Sequence, residues 1–278
     1  MRNVKFSESG KPIIIGVVKE PNADAAISTI KACEREGASA FDLHVSLLEG
    51  EERDPKSLER IFRECGSPVL AVHYNNLPKG ITVKNTSEER MAELVRAVEV
   101  GAAGIDMQGY TFCRDPRATL ADKDASKYPF ITATPKEVVL DDAIISQQRR
   151  VVDKVHSLGG EVLMSTHTGV YLNTEQIVSL ALEIEKREVD IIKLVTPVNT
   201  KEEVVEALSS IIELKKNIKK AKVHFHCSGR LGRITRYIAP YFGSAIVFAT
   251  DYYNDRADKE QLLITKFLDF YEQIKTED

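Results

Sequence analysis

Short apolar runs alternate along the chain with longer segments in which apolar residues recur every three or four positions. The short runs are continuously apolar, which is typical of strands buried on both faces of a parallel sheet. Eight strands are predicted from these runs: Ile13–Val18, Ser39–Val45, Pro68–His73, Gly104–Met107, Glu161–Met164, Asp190–Leu194, Lys222–Cys227 and Ile246–Ala249.

The longer segments predict a helix after each strand. In the fifth of them, apolar residues stand at i, i+3, i+4 and i+7 from Ile177, and Asn173 or Thr174 can cap its first amides. Thr134 and Pro135 are expected to open the fourth helix, because proline suits a first turn. The predicted helices are Asp24–Glu36, Pro55–Glu64, Ser87–Val100, Lys136–Ser157, Thr174–Arg187, Lys201–Asn217, Ile234–Tyr241 and Lys259–Glu272.

Eight strand–helix units favour an α/β fold of the (β/α)8 TIM-barrel class, formed as a single domain by residues 1–278. An open dinucleotide-binding sheet is disfavoured, because GVVKEPN follows the first strand in place of GxGxxG. A long segment without clear period, about 108–133, follows the fourth strand and is a candidate lid.

Composition narrows the functional classes. The net charge of −4 gives no basis for nucleic-acid binding, and the apolar runs are too short to span a membrane. The N-terminus lacks the apolar stretch of a secretory signal. Four cysteines without CxxC spacing indicate reduced thiols, so a cytoplasmic protein is expected.

Barrel enzymes carry their reacting groups at the carboxyl ends of the strands. Lys193 stands out there, because it is embedded in the apolar run VDIIKLV. Burial lowers the pKa of a lysine, and the neutral amine is the form that attacks a carbonyl carbon to make an imine. His167, one predicted strand earlier, has the parity to face the same pocket, where an imidazole could move protons.

Two stretches resemble the type I 3-dehydroquinate dehydratases. LMSTHTGVYLNTEQIVSLALEIEKREVDIIKLVTPVNTKEEV is similar to the family's serine–x–histidine strand followed by the strand with the imine-forming lysine. HCSGRLGRITRYIAPYFGSAIVFA resembles its glycine-rich turn, its Ser-Arg clamp and its Phe-Gly-Ser before the last strand. The similarity is strongest from Glu161 to Ala249.

The resemblance implies a hydro-lyase of the shikimate pathway, which makes aromatic amino acids, acting on 3-dehydroquinate or a related keto acid. It implies Lys193 as the imine-forming lysine, His167 as the general acid and base, and Arg236 as the residue that holds the substrate's carboxylate. It also implies that no metal or organic cofactor is needed and that the chain forms a homodimer.

The chain departs from the family pattern at the rim of the site. Gln108 stands where the family has a glutamate beside the catalytic histidine, and TDYYNDRAD replaces the lid after the last strand. The remaining substrate-binding candidates are also changed positions; they are Asp42 and His44 on the second strand, Tyr74 after the third and His226 on the seventh. These changes leave the identity of the keto acid open.

Three other functions stay open. A class I aldolase acting on a sugar phosphate or keto acid would use the same lysine. A metal-dependent barrel lyase could use His224 and His226, which lie on one face of the seventh strand. A non-catalytic binding protein would not need Lys193, His167 and Arg236 together.

Overall fold

The computed structural model describes residues 5–74, 85–253 and 259–275. Its strands are all parallel to the neighbours with which they pair. The strands are β1 Ile13–Val18, β2 Ala40–His44, β3 Val69–Val72, β4 Gly104–Gln108, β5 Glu161–His167, β6 Ile191–Pro197, β7 Lys222–Ser228, β8 Ile246–Thr250 and the short β9 Leu262–Leu263. The helices are α1 Ala23–Glu36, α2 Pro55–Glu64, α3 Ser87–Glu99, α4 Asp142–Ser157, α5 Thr174–Glu185, α6 Lys201–Asn217, α7 Arg233–Phe242 and α8 Ile264–Ile274.

The chain divides into two compact units. The first comprises the described parts of Met1–Met107, Lys154–Val162 and Ile246–Asp278. Within it the strand order is β4-β3-β2-β1-β8-β9. The register pairs Ile15 with Ala40 and Phe248. All residues of β1, β2, β3 and β8 are buried, which is why β1, β3 and β8 are almost wholly apolar, whereas β2 carries the buried Asp42 and His44.

The second unit comprises Gln108–Asp153 and Leu163–Ala245. Its strands run in the order β5-β6-β7, with Ser165 opposite Lys193 and Lys193 opposite His224. α5, α6 and α7 belong to this unit. Their apolar faces are buried, and the residues predicted for α5 (Ile177, Leu180, Ala181 and Ile184) are all in the core.

Side-chain caps set where several helices begin. Asn173 accepts a hydrogen bond from the Gln176 amide at 3.0 Å, and the Gln176 side chain accepts one from the Asn173 amide. This reciprocal pair satisfies amides that have no partner within a first turn. Thr86 and Thr200 begin α3 and α6 in the same way. The predicted start of the fifth helix is therefore confirmed, with Asn173 as the cap.

The predicted start of the fourth helix is wrong. Thr134 and Glu137 have positive φ angles of 49° and 56°, which an α-helix cannot contain. α4 begins instead at Asp142. The side chain of Asp141 caps it by accepting a hydrogen bond from the Ile144 amide at 3.0 Å. The segment before it is buried at Val138, Val139 and Leu140, so its apolar residues serve the core without forming a helix.

Other boundaries differ less. β5 continues to His167 and β6 to Pro197, so that the residues predicted at strand ends lie within strands. α5 ends at Glu185, before Arg187, and α8 begins at Ile264 because Leu262–Leu263 pairs with β8. Segment 108–133 contains short 3-10 turns at Arg117–Leu120 and Pro129–Ala133. Its role as a lid and the single-domain assignment stay predictions, and residues 254–258 of TDYYNDRAD lie outside the described residues.

Candidate active site

Lys193 lies in the middle of β6 with its side chain buried. Only 6% of its surface is exposed, and its strand neighbours are Ser165 on β5 and His224 on β7. Residues two apart on a strand share a face, so His167 and His226 project from the same face one step further along. The sheet of the second unit thus presents two rows of side chains, Ser165–Lys193–His224 and His167–Val195–His226.

The two histidines of β7 contact each other. His226 Nδ1 lies 2.8 Å from His224 Nε2, and His224 Nδ1 lies 3.1 Å from the Ser244 hydroxyl. Ser244 also accepts a hydrogen bond from the Phe225 amide at 3.1 Å, which fixes the hydroxyl against β7. The result is a buried chain of polar groups that ends beside Lys193.

The ring of His167 is bound by Glu137, which the sequence did not identify as a site residue. The Glu137 carboxylate oxygen Oε2 accepts hydrogen bonds from the backbone amide of His167 at 2.8 Å and from its ring Nδ1 at 3.0 Å. A carboxylate accepts hydrogen bonds, so this contact places the proton on Nδ1 and leaves Nε2 as the basic atom of a neutral ring.

A sequence signal for this site did exist in the segment KEVVLDD. Asp141 is a strong N-cap residue, and a helix starting after it leaves Glu137 in a loop before β5.

Arg236 lies on α7 and is half-buried. The first turn of α7 is attached to β7 through Thr235, whose hydroxyl accepts a hydrogen bond from the Cys227 amide at 2.8 Å. Gly232 precedes α7 where the backbone comes close to the end of β7. A Cβ at this position would lie only 2.5 Å from the Ser228 carbonyl oxygen. The glycine-rich turn therefore brings α7 close to the strand that carries His226.

His226 is buried and lies near the positive charge of Arg236. Burial lowers the pKa of His226 well below its usual range, and the charge of Arg236 acts in the same direction. Smaller contributions come from His224, Lys193 and His167, which agrees with the two rows of side chains described above.

The lowered pKa of His226 leads to a prediction about how stability depends on pH. The folded chain keeps this ring neutral, whereas the unfolded chain protonates it below a pH of about 6.5. Unfolding then takes up a proton. The free energy of unfolding therefore falls as the pH drops below that value, and His226 accounts for up to about 1.4 kcal/mol of this fall per pH unit.

We expect His226→Leu to flatten this slope in urea titrations at pH 5 and pH 7.5. The control is His156→Gln, which removes an exposed histidine from α4. Equal slopes for the wild-type chain and His226→Leu would contradict the prediction.

Gln108 ends β4 and is buried. Its side-chain oxygen accepts a hydrogen bond from the Tyr110 hydroxyl at 3.2 Å, and the next residue, Gly109, donates its amide to the Ser165 carbonyl at 2.8 Å. The glutamate that the resemblance implied for this position is thus replaced by an amide within a polar turn beside β5.

Asp42, His44 and Tyr74 form a cluster in the first unit. The Tyr74 hydroxyl donates to Asp106 at 2.6 Å, and the Tyr74 ring meets the His44 ring edge-on at 5.8 Å. His44 Nε2 lies 3.7 Å from the Asp42 carboxylate. Three of the predicted rim residues are therefore brought together, and their role in substrate binding stays a prediction.

The described residues contain no group of three or more His, Cys, Asp and Glu side chains that could hold a metal ion. His224 and His226 direct one ring nitrogen each towards the other, rather than towards a common point. Within the ranges that the structure covers, no helix is long and apolar enough to cross a membrane.

The fold matches solved structures over nearly its whole length. A type I 3-dehydroquinate dehydratase from Clostridium difficile, described with covalently modified comenic acid, has a TM-score of 0.74 at 15% identity, covering 98% of this chain and 97% of that one. A 3-dehydroquinate dehydratase from Enterococcus faecalis has a TM-score of 0.72 at 14% identity, covering 98% and 100%. A structure described as QR15, an aldolase, has a TM-score of 0.54 at 15% identity, covering 96% and 99%.

These likenesses define an α/β barrel of the (β/α)8 class, as predicted. The profile of the family described as Type I 3-dehydroquinase matches residues 136–278, just over half of the chain. The chain belongs to the type I 3-dehydroquinase family. No curated protein sequence matches it significantly.

Proposed function

We propose that the chain is a hydro-lyase that removes water from a cyclic β-hydroxy keto acid through an imine on Lys193. The observation that carries the proposal is the buried position of Lys193, in the same face of the sheet as His167, within the part of the chain that matches the family. The preferred substrate is 3-dehydroquinate, which gives 3-dehydroshikimate in the shikimate pathway.

The chemistry follows from the groups on that face. The amine of Lys193 adds to the substrate ketone and water leaves, giving an iminium that withdraws electrons from the neighbouring carbon. His167 Nε2 removes a proton from that carbon and then protonates the departing hydroxyl, which leaves as water. Hydrolysis of the imine restores Lys193 and releases the unsaturated ketone. No metal or organic cofactor takes part in these steps.

Arg236 is the proposed partner of the substrate carboxylate. A guanidinium can donate two parallel hydrogen bonds to a carboxylate, and the attachment of α7 to β7 through Thr235 keeps Arg236 near His226. His226 and Gln108 are proposed to line the same pocket, because both are buried and polar.

Borohydride trapping tests the proposal. The chain is incubated with 3-dehydroquinate and reduced, then digested and analysed by mass spectrometry. We expect the reduced adduct on the peptide that contains Lys193, and none when the substrate or borohydride is omitted. An unmodified Lys193 in a preparation that turns the substrate over would exclude the imine.

The aldolase alternative depends on the likeness to QR15. It uses the same imine but breaks a carbon–carbon bond, so it gives two carbonyl fragments in place of water and an enone. Trapping with a panel of cyclic keto acids and sugar phosphates, followed by product analysis, separates the two reactions. The lower TM-score of that likeness favours dehydration.

The proposal includes a homodimer, as the family resemblance implies, and a cytoplasmic location, as the four cysteines without CxxC spacing indicate. Light scattering during size-exclusion chromatography tests the assembly, and a mass of one chain of 31.0 kDa would contradict the dimer.

A further inference from the structure

The backbone at Glu137 is held in a conformation that residues with side chains rarely adopt. Its φ angle is 56°, in the left-handed region, where glycine is favoured. Such a conformation persists where surrounding contacts determine it, and it is found most often at functional sites. The contacts around Glu137 therefore show what holds its backbone in this conformation and its carboxylate beside His167.

Backbone contacts fix this position from both sides. The Lys136 amide donates to the Thr168 carbonyl at 2.6 Å, which joins the segment to the residue after His167. Gly109 allows the Glu137 carbonyl to come close, since a Cβ at Gly109 would lie 2.4 Å from that oxygen. Any other residue at 109 would push the segment away from β5.

A buried arginine holds the next turn of the segment. Arg187 Nη2 donates to the Val139 carbonyl at 2.7 Å, and its Nε donates to the Gln148 side chain at 2.9 Å. The Gln148 amide in turn donates to the Gly109 carbonyl at 3.0 Å. The network connects both flanks of Glu137, and its members are themselves buried.

We propose that Glu137 is the positioning residue of His167, an inference that depends on the proposed function. Its carboxylate keeps the proton on Nδ1, so that Nε2 is the atom that takes the substrate proton. When Nε2 is protonated, the ring becomes an imidazolium, and the adjacent negative charge stabilises it until the proton passes to the leaving hydroxyl. Glu137 thereby supplies from the loop before α4 the carboxylate that is missing at Gln108.

The kinetic test compares Glu137→Gln with the wild-type chain. The amide keeps the size of the side chain but loses the charge. We expect kcat to fall by about 100-fold or more, with KM and the borohydride-trapped adduct on Lys193 unchanged. The matched control is Glu188→Gln, because Glu188 also has a positive φ of 61° but lies at the surface beside Arg149. We expect it to keep the wild-type kcat.

A double variant distinguishes positioning from general structural support. If Glu137 acts through His167, adding Glu137→Gln to His167→Ala causes no further loss of kcat. If the two losses multiply, the proposal is overturned. A wild-type kcat in folded Glu137→Gln would overturn it as well.

Nuclear magnetic resonance tests the tautomer without any variant of Glu137. The six histidines are labelled with ¹⁵N, and His167 is assigned from the signals lost in His167→Gln. We expect the neutral ring of His167 to carry its proton on Nδ1, and a ring protonated on Nε2 would overturn the proposal. Turnover without a trapped adduct would instead contradict the proposed function, so the two failures are distinguishable.

Discussion

Lys193→Met is expected to lose turnover by a factor on the order of 10⁴ or more and to form no borohydride-trapped adduct. Methionine is straight and apolar, so it fills most of the buried space of the lysine but has no amine to attack the ketone. Removing a buried amine also removes the cost of taking it out of water, so we expect the free energy of unfolding to stay equal or to rise. Steady-state kinetics and urea unfolding of the same preparation measure both effects.

Lys222→Ala is the control for this prediction. Lys222 begins the neighbouring strand β7, where it faces Ile191, and it lies at the opposite end of the strand from the proposed chemistry. We expect wild-type turnover and a normal adduct on Lys193. Substantial turnover by Lys193→Met would remove the imine from the mechanism, whatever the substrate is.

Lys193 could be selected from the sequence as a candidate because it is the one polar residue in the apolar run Ile191–Val195. Burial of IIKLV follows from a parallel sheet covered on both faces, and a lysine within it needs a cavity or a chemical role. His167 could be selected as its neighbour only from strand parity, because residues of matching parity on adjacent strands face the same side of a sheet. The order and approximate bounds of the strands and most helices were predictable for the same reason, because apolar periodicity reports directly on which faces are buried.

Glu137 could not be recognised in this way. Thr134 and Pro135 suit a first turn, so the sequence predicts that the segment belongs to the fourth helix. Its real conformation depends on Gly109 and Arg187, which are distant in sequence and contact it only in the folded unit. Local patterns carry no information about such contacts, and the family resemblance indicated only position 108 as the neighbour of the histidine.

Arg187→Met gives the largest expected loss of stability. Burial lowers the pKa of the Arg187 guanidinium to about 10, yet each of its three hydrogen bonds satisfies an otherwise buried acceptor: the carbonyls of Val139 and Glu183 and the side-chain oxygen of Gln148. Leaving such acceptors unpaired costs about 1–3 kcal/mol each, and the relief of arginine desolvation offsets part of the sum. We expect the free energy of unfolding to fall by about 3 kcal/mol in urea titrations.

Arg149→Met is the matched control, because Arg149 donates to Glu188 at 2.9 Å in an ion pair that is about half exposed. Exposed pairs contribute about 0–1 kcal/mol, so the two arginine variants should differ severalfold in their effect. Similar small losses in both would show that the Arg187 network does not hold the segment. Because Arg187 fixes Val139 two residues from Glu137, we also expect folded Arg187→Met to lose kcat while still forming the adduct on Lys193. Stability of the fold and orientation of the proposed base would then depend on the same buried cation.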